Sequence, residues 1–597
     1  MKKPILMFLV CFCFIQSKAQ ITKSRIIADE SLPPNATKHS IKKVIHQPNF
    51  TLVSTSTGTN GMKPDTTGLG LDYIAIGNTI DDITTSMSIP GAVPEDNTIT
   101  VSCKDGSDTL MSAKNSAISI YAPNGSILSN DSLKTFTFTQ PGNNYKYGDP
   151  KLIYDPQNHR YLMVYHGLPK THRDSSVLYF KISATSNPFG FWYEYAIHDS
   201  SIAGSQWIDR PEIVLSTEEV FIKVNMFQTD TTTFKSVHLF VFKQSEVYQM
   251  NPPTVTYYDI ILPYANPSSI PILYGHGSNY GPGIYLAQLE PESFGDSMRL
   301  YDITNHIYTQ AYTIDMYKIK VALNSGDLWF SNSPINLKQK NSTLQLKTGS
   351  SKILSAFYLN NGFIHFVFPK YRNPTNLRCA TVYARLNIAT KNVKYTTYQF
   401  GNAAYPSLTS LAADTSDKSV VIAYLTADSL TFPSFRAVLC RNDMTWGNDL
   451  LIKAGTNPRY ESRWGDYTGN VRKHNAGIPS SWVYGSYAGS IGNTSVSYIA
   501  QILKTNTNGI DYIAEAIPIK VYPNPATKQL SIDIDKNISE NIAVDLIGLN
   551  GVIIGNLYSG KSMLMPRSLI LPFISQGEYI LRVSSENKVG YEKVFLY

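Results

Sequence analysis

"RYLMVYHGLPKTHRDSSVLYFKISA", residues 160–184, contains two apolar runs rich in aromatic and β-branched residues, separated by a polar segment. Such side chains pack well on a pleated surface, so each run predicts a β-strand. Comparable runs recur roughly every sixty residues, with no helical periodicity between them. The clearest of these runs lie at 160–166, 219–227, 283–290, 363–370, 419–427 and 481–489. The sequence therefore predicts an array of antiparallel sheets.

A four-stranded sheet repeated around an axis is a β-propeller, which protects its strand edges by closing into a ring. The six runs and a weaker unit at about 70–139 predict seven blades. We therefore predict an all-β chain, with a seven-bladed β-propeller over residues 65–515 and a small β-sandwich over residues 517–597. Two or three stacked sandwiches are the alternative architecture, but they do not require recurring strand triplets.

The composition limits the classes of partner. Aromatic residues make up 12% of the 597 residues and charged residues 16%, and the formal net charge of +7 is a weak field for a chain of this length. Nucleic acid is therefore not an expected partner. Cys103, Cys379 and Cys440 are far apart and show no metal-knuckle spacing, so we interpret them as buried small hydrophobes. We expect no cofactor, with a structural calcium ion in an Asp-rich turn such as "DDITTS" (81–86) left open.

The N-terminal residues have the pattern of a signal peptide. Two lysines precede a short apolar run, and small residues follow it, so we predict a signal peptide over residues 1–19 with cleavage between Ala19 and Gln20. The apolar run is too short to span a bilayer, which predicts no permanent transmembrane segment. Residues 20–64 are polar, and we interpret them as a linker or arm.

The C-terminal residues alternate between apolar strands and Gly-containing turns, which is typical of a small β-sandwich. This region closely resembles the type A sorting domain of the type IX secretion system. The matching positions are Tyr522, Pro523, Asn524, Pro525, Gly551, Gly577, Tyr579 and Lys593. The resemblance implies that the type IX secretion machinery is a partner. It also implies a protein that is secreted or displayed on the outer surface of a Gram-negative bacterium.

The middle of the chain resembles extracellular bacterial propellers of undefined function, over roughly residues 100–500. The matching motifs are Gly148-Asp149-Pro150, Tyr154-Asp155, Arg160-Tyr161, Asn187–Trp192 and Arg463–Tyr467. The resemblance implies a fold and an extracellular setting, and it implies no reaction.

Three carboxylates are weak candidates for catalysis, because each stands near the start of a predicted blade. They are Asp149, Asp209 and Glu212. Glycoside hydrolysis requires two carboxyl groups facing a sugar, and acids on innermost propeller strands can converge in that way. An Asp before a proline is also a common turn residue, whose carboxylate accepts backbone N–H bonds. We interpret Asp149 as such a turn residue, and His166 as a strand histidine with satisfied hydrogen bonds.

A second candidate site is the segment "SRWGDYTGN", residues 462–470. Arg463, Trp464 and Asp466 could form a ligand-binding edge, in which the Trp ring stacks and the charged pair hydrogen-bonds. Alternatively, Asp466 pairs with an arginine and locks the ring, with Trp464 in the core, and we favour this structural role. The expected function is binding of an extracellular glycan or protein, and not catalysis. A glycosidase that uses Asp149 with Asp209 or Glu212 is the alternative.

Overall fold

The chain divides into two compact units, residues Met1–Thr505 and Asn506–Tyr597. A computed structural model describes residues 21–27, 36–47, 73–82, 95–103, 109–115, 117–122, 127–139, 144–170, 175–198, 206–229, 233–251, 253–271, 273–274, 283–290, 297–304, 313–321, 336–348, 351–359, 362–372, 378–398, 402–411, 417–474, 479–489, 496–504, 515–516, 519–534, 541–548, 553–566, 568–572, 574–584 and 588–597.

The described part of the first unit forms seven sheets of four or five strands, which we number as blades in chain order. Blade 1 consists of Thr98–Val101, Leu110–Lys114, Ala117–Tyr121 and Ile127–Ser132. Blade 2 consists of Tyr145–Asp155, Arg160–Pro169, Val177–Ser183, Trp192–His198 and Val44–His46. Blade 3 consists of Gln206–Leu215, Glu219–Gln228, Phe234–Lys243, Thr254–Ile261 and Ala36–Lys42. Blade 4 consists of Ile270–Pro271, Gly283–Glu290, Ser297–Thr304, Thr313–Lys320 and Ile21–Ile27.

In the remaining three blades neighbouring strands are antiparallel, except that Leu273–Tyr274 pairs with Ser355–Leu359 in parallel. Blade 5 consists of Leu273–Tyr274, Ser355–Leu359, Phe363–Arg372, Arg378–Asn387 and Val393–Tyr398. Blade 6 consists of Ala403–Ser410, Val420–Thr426, Ser434–Cys440 and Trp446–Lys453. Blade 7 consists of Gly469–Arg472, Ser480–Tyr487, Val496–Lys504 and Tyr73–Asp82. A hairpin of Asn336–Gln339 and Ser342–Lys347 and two one-turn helices, Leu133–Phe136 and Gln244–Val247, complete the described elements.

The seven blades close into a ring. The first strands of neighbouring blades contact one another in chain order, with Ser355–Leu359 taking this place in blade 5, and the first strand of blade 7 contacts that of blade 1. Each neighbouring pair of blades also shares one cluster of buried apolar side chains. At the seam, Ile99 and Tyr121 of blade 1 pack with Trp482 and Tyr484 of blade 7. The prediction of an all-β propeller is confirmed.

The N-terminal residues differ from the sequence prediction of a linker or arm over residues 20–64. Three segments of the N-terminal chain form the outermost strands of blades 4, 3 and 2. The strand Tyr73–Asp82, which we assigned to the first blade, instead pairs with Val496–Lys504 of blade 7. The edge strand of a blade has backbone N–H and C=O groups with no partner on its outer side. A polar segment can pair with them through its backbone, so the N-terminal strands need no apolar pattern that the sequence would reveal.

The second unit is a small β-sandwich with its own core. One sheet contains Glu515–Ala516, Lys588–Leu596, Gly577–Ser584, Asn541–Gly548 and Ile553–Lys561. The other contains Ile519–Tyr522, Gln529–Ile534 and Leu569–Ile570. A one-turn 3₁₀ helix spans Ser562–Leu564.

A buried ion pair joins blade 2 to the chain that enters it. Lys181 Nζ lies 2.8 Å from Glu194 Oε2, and both side chains are fully buried. Glu194 also accepts hydrogen bonds from the backbone N–H groups of Phe138 and Thr139, which connect blade 1 to blade 2. Burial opposes ionisation of Glu194, but the charge of Lys181 and these hydrogen bonds outweigh it and lower the pKa of the carboxyl group.

We expect Glu194→Gln to lower the free energy of unfolding by about 3–5 kcal/mol, because the variant leaves the Lys181 ammonium buried without its counter-charge. Urea denaturation at neutral pH measures this loss. The deficit should shrink as the pH falls through the carboxyl range, because a carboxylate with a lowered pKa stabilises the fold only while it is ionised. The exposed Glu218 offers a control, and Glu218→Gln should change stability by less than about 0.5 kcal/mol. Equal effects of the two substitutions would contradict this assignment.

Candidate functional site

The first strands of three blades share an unusual backbone conformation near their start, a positive φ angle at the residue before a proline. Asp149, Arg210 and Tyr405 each precede a proline and have φ angles of 51°, 47° and 49°. Each lies where the pairing register of its first strand shifts. The residue before a proline normally adopts an extended conformation, so a positive φ there is strained by about 1–3 kcal/mol. The three strained positions lie near the starts of the first strands of blades 2, 3 and 6.

Asp96 organises this end of the axis across three blades. It stands just before blade 1 and is fully buried. Asn115 Nδ2 donates to Asp96 Oδ2 over 2.6 Å, and the backbone N–H of Asp466 donates to Asp96 Oδ1 over 2.7 Å. The carboxyl groups of Asp96 and Asp149 share a hydrogen bond. Asn115 Oδ1 accepts the backbone N–H of Asp149 over 2.7 Å. Blades 7, 1 and 2 are therefore joined through one buried carboxyl group.

Two of the predicted carboxylates meet a histidine at this end. One oxygen each of Asp149 and Asp209 and one nitrogen of His166 all lie within 4.8 Å of one another, and we call these three residues the axial triad. His166 is only 7% exposed, and the two carboxylates are half-buried. His166 Nδ1 lies 3.9 Å from Asp149 Oδ2 and has no hydrogen-bond partner among the described residues. The interpretation of His166 as a strand histidine with satisfied hydrogen bonds is therefore wrong for its Nδ1 atom. Its pairing with Gly148 across the sheet places the ring beside Asp149.

Three of the cations around the triad are engaged with other acids. Lys151 Nζ lies 3.3 Å from Glu212 Oε2, and Arg210 Nε lies 3.6 Å from Glu212 Oε1. Arg463 and Asp466 form an ion pair of 3.2 Å. In the part of the chain that the structure describes, the carboxylates of the axial triad have no Lys or Arg within ion-pair distance. Glu212 is therefore charge-balanced, and the triad is not.

The electrostatics of the cluster follow from burial and from the crowding of charges. Burial, followed by the charges of Asp466 and Asp149, raises the pKa of Asp96 well above its ordinary value. Burial and the charge of Asp149 raise the pKa of Asp209 to about 6. Burial and the charge of Arg210 lower the pKa of Lys352 to about 8. Although burial opposes it, the charges of Lys352 and Arg463 lower the pKa of Asp466. The acidic and basic groups of this cluster therefore shift one another's pKa values within a small, poorly hydrated volume.

A cavity of about 160 Å³ continues from this cluster along the ring axis. The first strands of all seven blades, or the residues just before them, line it. Its lining includes Lys151 and Glu212, which follow Asp149 and Asp209 by two and three residues on the same strands. The cluster therefore lies at the end of the cavity where the first strands begin.

The segment at 462–470 separates into a buried and an exposed part. Trp464 is fully buried and belongs to the core cluster between blades 6 and 7, so its ring is not available for stacking on a ligand. Arg463 is exposed, with 55% of its side-chain surface accessible. Tyr460, three residues earlier, is 62% exposed. The sequence pattern drew attention to Trp464, but Tyr460 is the accessible ring of this loop.

The structure gives Asp149 a different setting from the turn carboxylate that the sequence suggested. Its described side-chain contacts are with His166 and Asp96, and its backbone N–H is held by Asn115. The amide of Asn115 therefore holds the turn. The sequence does not reveal that Asn115 accepts this hydrogen bond, because Asn115 and Asp149 are 34 residues apart.

The predicted sorting residues have mixed roles in the second unit. Asn524 Nδ2 donates to the carbonyl of Lys593, and Asn524 Oδ1 accepts the backbone N–H of Phe595, so this side chain ties the motif to the last strand. Tyr579 is buried, whereas Tyr522 is exposed. Gly551, the cleavage position at Ala19 and Gln20, and most of the Asp-rich turn at 81–86 lie outside the described residues. The three cysteines of the propeller, all within the described residues, are buried and are not joined by disulfide bonds.

Comparison with known proteins identifies the second unit. Residues 520–596 match the family described as "Secretion system C-terminal sorting domain". This family is the address of the type IX secretion system, so the protein is a secreted or cell-surface bacterial protein. No curated protein matches the sequence. No helix among the described residues has the length and hydropathy needed to cross a membrane.

Several solved structures are similar to the chain at low identity. A glycoside hydrolase is 12% identical, with 50% of this chain and 87% of that chain covered and a TM-score of 0.25. The phage phi92 endosialidase is 9% identical, with coverages of 76% and 84% and a TM-score of 0.28. An exo-β-1,3-galactanase from Clostridium thermocellum is 9% identical, with coverages of 73% and 98% and a TM-score of 0.27. Likeness at this level has no bearing on activity or substrate.

We expect Asn115→Ala to lower the free energy of unfolding by about 2–4 kcal/mol, because Asp96 and the Asp149 backbone each lose a buried hydrogen bond. Thermal and urea denaturation measure the change. Asn251, which is exposed, supplies the control, and its replacement by Ala should have little effect. A stability of the Asn115 variant equal to that of the control would show that the network does not hold the axis.

Deletion of residues 517–597 should leave the propeller folded but retained in the periplasm, because the sorting domain is the export address. Fractionation of cells and medium, with the full-length chain beside it, measures the distribution. Normal yield of the truncated protein outside the cell would contradict the assignment.

Proposed function

We propose that the protein is an exported propeller that binds an extracellular glycan at the end of the ring axis where the axial triad lies. The observation that supports this proposal most directly is the convergence of the partly buried Asp149, Asp209 and Asp466 from three blades above an axial cavity. A network anchored on buried Asp96 holds two of them from below. Such a site is preorganised, so a ligand does not bear the entropy of ordering it.

The chemistry of the exposed groups suits a polyhydroxylated ligand. Carboxylates accept hydrogen bonds from hydroxyl groups, and charge-assisted bonds of this kind are roughly twice as strong as neutral ones. Arg463 supplies donors at the rim, and the exposed ring of Tyr460 supplies a flat face on the same loop. Sugars present hydroxyls at their edges and apolar C–H faces, and this combination complements both kinds of group.

Binding of a protein through a large apolar surface has less support. The exposed large apolar side chains of the described propeller include Phe138, Phe191, Met250, Tyr264 and Leu430, which are widely separated in sequence. Single exposed apolar residues are normal on a soluble protein and do not indicate an interface. A protein ligand remains an outcome of the binding test.

A glycosidase is the second candidate, and one distance favours it. A carboxylate oxygen of Asp149 lies within 4.8 Å of one of Asp209, which is near the separation of about 5 Å in retaining enzymes. Glu212 is held by Lys151 and Arg210, so Asp209 is the better partner for Asp149. Binding is preferred because both carboxylates lie beside His166 and Asp149 is also hydrogen-bonded to the buried carboxyl group of Asp96, so that both belong to the network that holds the axis.

A glycan array and a chromogenic-glycoside panel, run with the same full-length protein, test the proposal. We expect binding to one glycan class without hydrolysis. Arg463→Ala should weaken that binding about tenfold to a hundredfold, because a hydrogen bond to a charged group contributes about 1.5–3 kcal/mol. Glu218→Gln, on an exposed turn of blade 3, should bind like the parent protein.

Turnover of a glycoside that Asp149→Asn and Asp209→Asn both abolish would support the glycosidase instead. Failure to bind any glycan, together with capture of a surface protein that Arg463→Ala releases, would replace the glycan by a protein ligand.

A further inference from the structure

We infer that the axial triad is a site for a divalent transition-metal ion, held by the imidazole of His166 and by one carboxylate oxygen each of Asp149 and Asp209. The inference goes beyond the proposed function and does not depend on the identity of any ligand. It rests on the meeting of the three side chains, on the free nitrogen of the buried imidazole, and on the distribution of charges around them.

The first step concerns the imidazole. His166 is 7% exposed, and its Nδ1 atom has no hydrogen-bond partner among the described residues. A buried polar atom without a partner costs about 1–3 kcal/mol, and native proteins rarely leave one unless water, an ion or a functional role accounts for it. This nitrogen faces a carboxylate oxygen of Asp149 at 3.9 Å, a distance too long for a hydrogen bond. A cation between the two groups would satisfy both of them.

The second step concerns charge. Lys151, Arg210 and Arg463 are engaged by Glu212 and Asp466 at distances of 3.2–3.6 Å. Among the described ion pairs, the carboxylates of Asp149 and Asp209 have no such partner, although Lys352 acts on both electrostatically. Two partly buried carboxylates with no Lys or Arg within ion-pair distance among the described residues form a site that a cation would stabilise.

The third step concerns the kind of ion. Neutral imidazole is a good ligand for Zn²⁺ and its neighbours, whereas Ca²⁺ and Mg²⁺ prefer sites made of oxygen alone. Three protein ligands leave a fourth position open, as in sites where a metal binds an external ligand. The triad atoms within 4.8 Å of one another would need to approach by about 1–2 Å to coordinate one ion at metal–ligand distances near 2 Å. Side-chain rotation of two half-buried aspartates provides such a movement.

A second buried histidine supplies a matched contrast. His238 Nδ1 contacts the carboxylate of Asp259 at 2.8 Å, and His238 Nε2 contacts Ser236 Oγ at 2.9 Å. Both of its ring nitrogens have partners, and among the residues that the structure describes it contacts the carboxylate of Asp259 alone. His238 therefore has the environment of a structural histidine, and His166 does not.

The test uses the full-length protein stripped with a chelator, loaded separately with Zn²⁺, Mn²⁺ or Ca²⁺, and freed of excess ion. Elemental analysis should find about one Zn²⁺ per chain and no retained Ca²⁺, and added Zn²⁺ should raise the Tm of the stripped protein by several degrees. Loading with Co²⁺ should give visible absorption bands that change with His166→Gln.

The variants decide between a metal site and a cluster held by protons alone. His166→Gln and Asp209→Asn should each reduce Zn²⁺ content at least tenfold and remove the Zn²⁺-dependent rise in Tm, whereas His238→Gln should retain the ion. Circular dichroism of the metal-free variants controls for folding, and the near-isosteric Asp209→Asn remains informative if His166→Gln does not fold. Less than about 0.1 Zn²⁺ per chain in the loaded parent protein, retention of Ca²⁺ in place of Zn²⁺, or parental Zn²⁺ content in Asp209→Asn would overturn the inference.

Discussion

The convergence of the first strands on one axis is the constraint on which the rest of the propeller depends. Every blade begins there, so side chains from all seven blades share one narrow volume. Apolar residues can fill such a volume without further requirements, but charged residues must be paired, protonated or bound to an ion. The contacts that close the ring and the buried charges that cost the most free energy to desolvate therefore lie together at the axis.

Closure also explains the long N-terminal excursion of the chain. The strand Tyr73–Asp82 completes blade 7, and three earlier strands cover the outer edges of blades 4, 3 and 2. An uncovered edge is a template for association with other chains, so these strands protect the propeller from edge-to-edge pairing. The N-terminal residues thus belong to the propeller and do not merely precede it.

Local signals in the sequence were sufficient for the strands, the repeated sheets and the sorting domain. Aromatic runs and turn residues predict blades such as that at 145–198, and the Tyr-Pro-Asn-Pro motif marks the terminal sandwich. The sequence also placed Asp149 and Asp209 correctly at the starts of neighbouring blades. Three features depended on long-range pairing and had no local signal. They are the edge strands of residues 21–46, the burial of Asp96, and the approach of His166 to Asp149.

The charged residues at the axis occupy one sector of the ring, and this sector includes the seam. Asp466 leads into blade 7, Asp96 into blade 1, and Asp149 and Asp209 begin blades 2 and 3. In blades 4 to 6 the corresponding lining residues are largely apolar or uncharged, with Lys352 as the cation that faces the sector. Because the backbone of Asp466 donates to Asp96, Asp466 joins this sector only when blades 7 and 1 have closed. Ring closure thus adds Asp466 to a cluster that blades 2 and 3 begin, and burial of apolar side chains at the seam favours that closure.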